Sequence, residues 1–437
     1  MIRYHARWVL PISRPPIRDG TVAEIGGRIA YVGPRADAPA GEDRDLGPAI
    51  LLPGLVNSHT HLELTAFRGV IPALPFRDWI AALQAAKTAV MTRERYLDSA
   101  RLGIAEGLRA GITTYADTCD SGVVLEAMRD AGVRGIMYQE VFGPSPDPAA
   151  VSESARALQA KLAALEPLAT DLQHLGVSPH APYTVSDPLF ALVARSGRPI
   201  AIHIAESAEE TALVRDAAGP FADALRKRGI AVAPRAPSPI SLLEKLGVLR
   251  AKPLLIHCIR VDDGDIRTIA AHDCAVAHCP HSNHVLGHGV APLAELLAAG
   301  VRTGLGSDSM ASNARLDILE ESRLAAELQH ARAHPLSPTR ALELATLGGA
   351  RALGLADRIG SLEVGKDADL AAFPISDLPA ADLDPTAALL SSPAAHPALA
   401  VVIAGAVKLW NGELLANDPQ LAIRLAAITS ALLTTSR

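Results

Sequence analysis

The chain of 437 residues has only four cysteines, at positions 119, 258, 274 and 279. Their spacing fits neither a zinc knuckle nor a disulfide framework. They read instead as small apolar residues on buried strands. No apolar run is long enough to cross a membrane as a helix. The run Trp8-Val9-Leu10-Pro11-Ile12, before a proline pair, is too short for a signal peptide, so a soluble cytoplasmic protein is expected. Basic charge is not in excess: 41 basic against 47 acidic residues leave −6, which argues against a nucleic-acid or membrane-surface binder. Charged residues make up 20% of the chain and are scattered, so no long disordered tract is expected. Apolar side chains are abundant, at 49%, enough for a large barrel and a small second domain.

The two ends of the chain share one pattern. Gly26 to Gly33 reads as strand and turn, and so do Asp369 to Phe373 and Ala400 to Gly412. Residues 1–52 and 357–437 are therefore expected to build one small β-sandwich, with a final helix at 418–434 that packs on its own domain or on a second copy. Between them, short apolar runs alternate with Ala/Leu-rich stretches, as in a parallel α/β fold. Strands are expected at 51–56, 112–117, 134–141, 173–178, 200–204, 253–257, 274–278 and 301–306. Helices are expected at 95–110, 149–167 and 187–196, with two more at 313–333 and 337–354. Eight strands within residues 53–356 predict a (β/α)8 TIM barrel, with 231–240 as an insertion.

Barrel enzymes carry their chemistry at the C-terminal ends of the strands. Strand one ends in Asn57-Ser58-His59-Thr60-His61, whose two imidazoles share a strand face. Strand five supplies His203, strand six ends at His257, and strand eight runs into Asp308. His59, His61, His203 and Asp308 together suit one zinc or a similar ion, with iron and manganese also compatible, and leave a position open for water. Glu206, three residues past His203, has the place of a proton shuttle. His257 is placed to hydrogen-bond the water or the developing charge. His272, His278, His281, His284 and His288 cluster locally, but their spacing suits no strand face or helix stripe. They read as loop structure or substrate lining, not a second metal site. His5, His174, His330, His334 and His396 read as structural or surface residues.

With Pro53-Gly54-Leu55-Val56-Asn57-Ser58-His59-Thr60-His61, Arg68-Gly69, Ser178-Pro179-His180-Ala181-Pro182-Tyr183, His203-Ile204-Ala205-Glu206, His278-Cys279-Pro280-His281-Ser282-Asn283 and Gly306-Ser307-Asp308-Ser309, the chain resembles the amidohydrolase superfamily, in its branch of nucleoside deaminases and triazine chlorohydrolases. The resemblance implies the same four ligands, Glu206 and His257 as catalytic partners, and His180 as a substrate contact. Binuclear members use a carboxylated lysine at the end of strand four. Here that strand ends at His180, and Lys161 lies in the preceding helix, so one metal is expected.

One metal favours hydrolytic deamination of an aromatic ring, with Asp308 and His257 orienting the nucleophile and Glu206 moving the proton. The resemblance implies a 6-aminopurine nucleoside, and places Trp79 and Glu206 among the substrate-binding residues. The segment after Trp79, Ile80 to Thr88, lacks the ribose-binding glutamate of methylthioadenosine deaminases. His61-Leu62-Glu63-Leu64-Thr65 and Phe76-Arg77-Asp78-Trp79-Ile80 instead resemble aminodeoxyfutalosine deaminases of menaquinone synthesis, whose substrate carries a benzoate. Arg68 and Lys87 are the candidate cations for that carboxylate; either also reads as a surface charge, Lys87 at least as readily. The other readings are a methylthioadenosine/adenosylhomocysteine or other purine deaminase, a triazine-type chlorohydrolase, and a non-catalytic relative, although every expected ligand is present. A homo-oligomer is compatible with the sequence.

Overall fold

The computed structural model describes all residues except 376–377, 392–396, 417 and 436–437, so His396 lies outside the described residues. Five strands precede the barrel: β1 (Ile2–Val9), β2 (Ile17–Ile25), β3 (Arg28–Pro34), β4 (Glu42–Asp45) and β5 (Ala49–Pro53). The apolar run expected as one strand at 51–56 is divided between two sheets. β5 pairs with β1, and the first barrel strand begins only at Leu55. The divide is Gly54, where a Cβ would lie 2.2 Å from the Thr113 side chain. Two sheets part there because only glycine lets them approach so closely.

The barrel strands are β6 (Leu55–Thr60), β7 (Ile112–Cys119), β8 (Arg134–Val141), β9 (Gln173–Pro179), β10 (Ala201–Ile204), β11 (Leu254–His257), β12 (Ala275–His278) and β13 (Arg302–Leu305). They hydrogen-bond in parallel as two runs, β6 to β9 and β10 to β13. Parallel bridges Val177–Ile200 and Thr60–Asp308 join the runs at both seams. Val56, Ala116, Ile136, Tyr138, Leu254 and Ile256 share one apolar cluster inside the ring. Helices Arg93–Arg109, Pro148–Leu165 and Asp187–Val193 lie where the sequence places them, and they bury their apolar stripes on the outer faces of the strands. Within 231–240, extended chain leads into the helix Pro239–Lys245. Helices Ile318–Ala331 and Pro338–Glu343 follow the last barrel strand.

The chain then returns to its starting sheet as β14 (Leu370–Pro374), β15 (Ala400–Ile403), β16 (Ala406–Trp410) and β17 (Glu413–Leu414). The expected sandwich hydrogen-bonds as one nine-stranded sheet, in the order β17-β16-β15-β14-β5-β1-β2-β3, with β4 beside β1. It folds over on itself: Tyr4 of β1 and Trp410 of β16 lie on well-separated strands, yet their rings are 6.5 Å apart. The final helix, Leu421–Thr435, leaves this sheet and packs on its own chain. Leu425, Ile428 and Leu432 join the apolar cluster of the helix Phe76–Val90, and Arg424 pairs with Asp98 at 2.7 Å. Among the described residues no helix is long and apolar enough to cross a membrane.

One buried arginine joins barrel and sheet. Arg134, at the start of β8, is 1% exposed. Its Nε and Nη2 donate to the two oxygens of Asp369 at 2.7 and 3.0 Å, and Nη2 lies 2.9 Å from Asp367. Removing the guanidinium would leave the buried charge of Asp369 uncompensated, while Asp367 keeps Arg358 at 2.7 Å. Arg134→Met should cost about 3–5 kcal/mol of unfolding free energy in urea titration. A loss below about 1 kcal/mol would show that Asp369 finds water or another partner.

Candidate metal centre and active site

The barrel's strand ends bring the expected donors to one place. β6 carries His59 within the strand and His61 just past it. Buried Asp117, at the end of β7, fixes that segment by accepting the Thr60 hydroxyl at 2.5 Å and the Leu62 amide at 2.7 Å. His203 lies in β10, its Nδ1 3.2 Å from the His180 carbonyl. An N–H donated there leaves the Nε2 lone pair facing the cavity. That Nε2 is 3.3 Å from His61 Nε2. Asp308 Oδ1 is 3.2 Å from His59 Nε2 and 3.5 Å from His61 Nε2, while Oδ2 accepts the Ser282 hydroxyl at 2.6 Å.

Burial favours the neutral imidazole and lowers the pKa of His59, and lowers those of His61 and His203 further. Burial would raise Asp308, but the His59 hydrogen bond and the surrounding imidazoles hold it well below the usual carboxylate range. Neutral imidazole lone pairs and a carboxylate converging at such separations repel one another unless a cation lies among them. The donor set therefore fits a divalent metal.

The cavity above these donors has a volume of about 360 Å³. Glu206, His257, His180 and Trp79 line it with His61, His203 and Asp308. His257 Nδ1 is 2.9 Å from Asn283 Oδ1, and its Nε2 is 3.6 Å from Glu206 Oε1. Burial opposes ionisation of Glu206, but His257 and His288 outweigh it and lower its pKa. Ala205, His257, Cys258 and Asp308 all have left-handed backbone, with φ of 51°, 77°, 47° and 58°. Such strain in non-glycine residues persists only where the surroundings enforce it. Phe76, Trp79 and Tyr183 form an aromatic wall, with Phe76 and Trp79 stacked at 6.5 Å and Tyr183 stacked on Phe221 at 4.1 Å.

Two expectations change, those for Arg68 and Lys87. Arg68 does not reach the cavity: its guanidinium is held by Glu106 on the outer side of the barrel, which removes it as a substrate contact. Lys87 is not a surface charge; it lines the cavity. The histidine cluster disperses. His288 is buried with Nε2 3.4 Å from Glu206, while His272 faces Glu244 at the surface. Among the described residues none of those five histidines joins a group of three metal-ligating atoms. The four cysteines are buried and unpaired, as expected. Sequence reasoning gave Asn283 no role of its own and passed over Asp117 and Glu140. Asp117 and Glu140 end barrel strands, and the rule that selected His203 would have selected them.

Residues 50–406 match the family model described as amidohydrolase family. A relative from Moorella thermoacetica, named 5-methylthioadenosine/S-adenosylhomocysteine deaminase, is 34% identical over 83% of this chain and 83% of its own. The zinc-bound structure of an adenosine deaminase from Xanthomonas campestris superposes with a TM-score of 0.87 at 32% identity, over 99% of this chain and 98% of that one. The aminofutalosine deaminase of Helicobacter pylori, solved with methylthio-coformycin, gives a TM-score of 0.80 at 19% identity over 93% of this chain and all of that one, a likeness of fold.

The turn that aims Glu206 is itself clamped. Glu210, fully buried, accepts the amides of Ala205 and Glu206 at 2.9 and 3.0 Å. Burial pushes its carboxyl up to about 8, against the pull of those two amides. The folded chain thus keeps a proton that the unfolded chain releases. The resulting stability is complete below the unfolded value, near 4.5, and is lost as pH rises through about 8. The unfolding free energy of wild type relative to Glu210→Gln should therefore fall as pH is raised from about 5 to about 9. Urea titrations across that range check this, and a constant difference would contradict it.

Proposed function

The chain belongs to the amidohydrolase family, and on that premise we propose that it is a metal-dependent hydrolase that removes the amino group of a 6-aminopurine nucleoside as ammonia. Its catalytic unit is the barrel, residues 53–356, with 1–52 and 357–437 as the accessory unit. The observation that carries the reading is the meeting, in one cavity, of His61, His203 and Asp308, with His59 3.2 Å from Asp308, and a separate buried carboxylate, Glu206. His59, His61, His203 and Asp308 would hold the ion. Zinc suits this set and is bound in the similar Xanthomonas structure, while iron and manganese meet the same donors. A bound divalent ion supplies Lewis acidity and makes water a stronger acid.

The side chains do the rest. Glu206, ionised at the start, takes the proton of the attacking water and passes it to the ring nitrogen beside the amino-bearing carbon. His257, fixed through Nδ1 by Asn283, turns Nε2 towards the attacking oxygen and the charge that develops on it. Trp79, Phe76 and His180 hold the purine and exclude water from its faces.

For the 5′ end of the nucleoside, 6-amino-6-deoxyfutalosine is the leading reading, supported by the local runs at 61–65 and 76–80. Arg228 at the cavity mouth takes the place of Arg68 as the cation for its benzoate; it forms no ion pair among the described residues. The second reading, methylthioadenosine or adenosylhomocysteine, is favoured by the name of the Moorella relative.

Ammonia release from aminodeoxyfutalosine, methylthioadenosine, adenosylhomocysteine, adenosine and guanine, on metal-quantified protein, decides among these. Aminodeoxyfutalosine should give the highest kcat/KM. Faster turnover of any other purine would displace it, and chloride release from a chlorotriazine without purine deamination would sink the class. Glu206→Gln should retain metal and lose about 10²–10⁴-fold in kcat. Near-normal turnover would remove Glu206 from the proton path.

A further inference from the structure

Ile136, Tyr138 and Glu140 share the inward face of β8. The first two fill the barrel, and Glu140 emerges at its mouth as part of the cavity wall. Its side chain is 5% exposed, and its buried Oε1 has no hydrogen-bond partner. A buried carboxylate oxygen left unmatched is costly and calls for a donor from outside the chain.

Lys87, on the helix Phe76–Val90, lines the same wall and makes no ion pair within 4 Å among the described residues. The other acids around it are already engaged. Glu63 accepts from Cys119 Sγ and from the Asp120 and Ser121 amides, and Asp120 pairs with Lys161 at 2.9 Å. Among the described residues of this wall, Glu140 thus offers an unmatched acceptor and Lys87 a donor without an ion pair.

The carboxylate also lies within 4.8 Å of donor atoms of His61 and His203, which raises a metal role. His203 Nδ1 faces the His180 carbonyl, so its one free nitrogen serves one ion only. The same imidazoles cannot complete a second site.

A group that both donates and accepts at adjacent atoms satisfies a carboxylate and an ammonium together, and a vicinal diol is such a group. We propose that Glu140 and Lys87 form a diol subsite that grips the ribose hydroxyls of the substrate, a reading that rests on the nucleoside function proposed above. Each hydroxyl donates to Glu140, and Lys87 donates to a hydroxyl oxygen. The subsite serves every ribonucleoside in the panel alike, whatever stands at the 5′ position.

The experiment compares adenosine, 2′-deoxyadenosine and 3′-deoxyadenosine on wild type, Glu140→Gln and Lys87→Met, with metal content measured for each protein. Wild type should favour adenosine over either deoxynucleoside by about 10–100-fold in kcat/KM, as expected when a buried acceptor loses its donor. In Glu140→Gln, with metal content retained, that ratio should shrink to within about threefold of unity, and Lys87→Met should shrink it in the same direction. Equal turnover of all three nucleosides by wild type would overturn the subsite while leaving the deaminase reading in place. So would an unchanged ratio in Glu140→Gln. Loss of metal from Glu140→Gln would make Glu140 a ligand and overturn the subsite. Failure of wild type to deaminate any nucleoside would remove the nucleoside reading, and the subsite with it.

Discussion

The contact between Asp308 and His59 is the one on which the rest of the structure depends. The Asp308 amide donates to the His59 carbonyl at 2.9 Å, part of the seam where the last barrel strand meets the first. The two side chains lie 3.2 Å apart at the mouth. Closing the ring and assembling the donors are therefore one event. A parallel barrel must return its eighth strand to its first, and here that return carries a carboxylate to two imidazoles.

That arrangement has an energetic cost that the fold meets locally. Buried imidazoles and carboxylates are costly unless each is paired. Ser282 occupies one oxygen of Asp308, Asn283 one nitrogen of His257, and the His180 carbonyl one nitrogen of His203. Each partner leaves one lone pair or one oxygen turned inward. The left-handed residues Ala205, His257 and Asp308 lie where strands end and side chains must be re-aimed at the axis, and Glu210 holds one of those turns from behind. Below two of those turns, β10 and β11 are apolar apart from His203 and His257.

Much of this was legible in the sequence because a barrel converts strand position into spatial position. An apolar run followed by a polar residue places that residue at the mouth, and His59, His61, His203, His257 and Asp308 all followed that rule. Arg68 did not, because it belongs to a loop whose path no periodicity sets; the loop turns the guanidinium outward to Glu106. His288 was obscured in the same way: its loop brings it back to Glu206 from the end of β12. The boundary of the first strand was blurred because β5 and β6 are both wholly apolar at their junction, and only the close approach of Gly54 to Thr113 separates them. The sandwich expected from two similar termini is one folded sheet, a distinction of hydrogen bonding that strand patterns cannot express.

The site is built from two sources with different constraints. The metal donors, Glu206 and His257 come from the barrel strands, whose geometry is tied to ring closure. The opposite wall comes from the helix Phe76–Val90, which inserts Trp79 and Lys87 into the cavity from outside the ring. That helix is held by the C-terminal helix Leu421–Thr435, through Leu425, Ile428 and Leu432. The segment that follows the accessory sheet therefore supports the wall facing the substrate. Changes in that wall can alter which nucleoside is held without disturbing the donors, because few contacts are shared between them. Arg68 shows the converse, since a residue that serves barrel packing is not available to the substrate. Chemistry in this fold is set by the strand ends, and the wall against the substrate is made jointly by Glu140 of β8 and by the helix that leans over it.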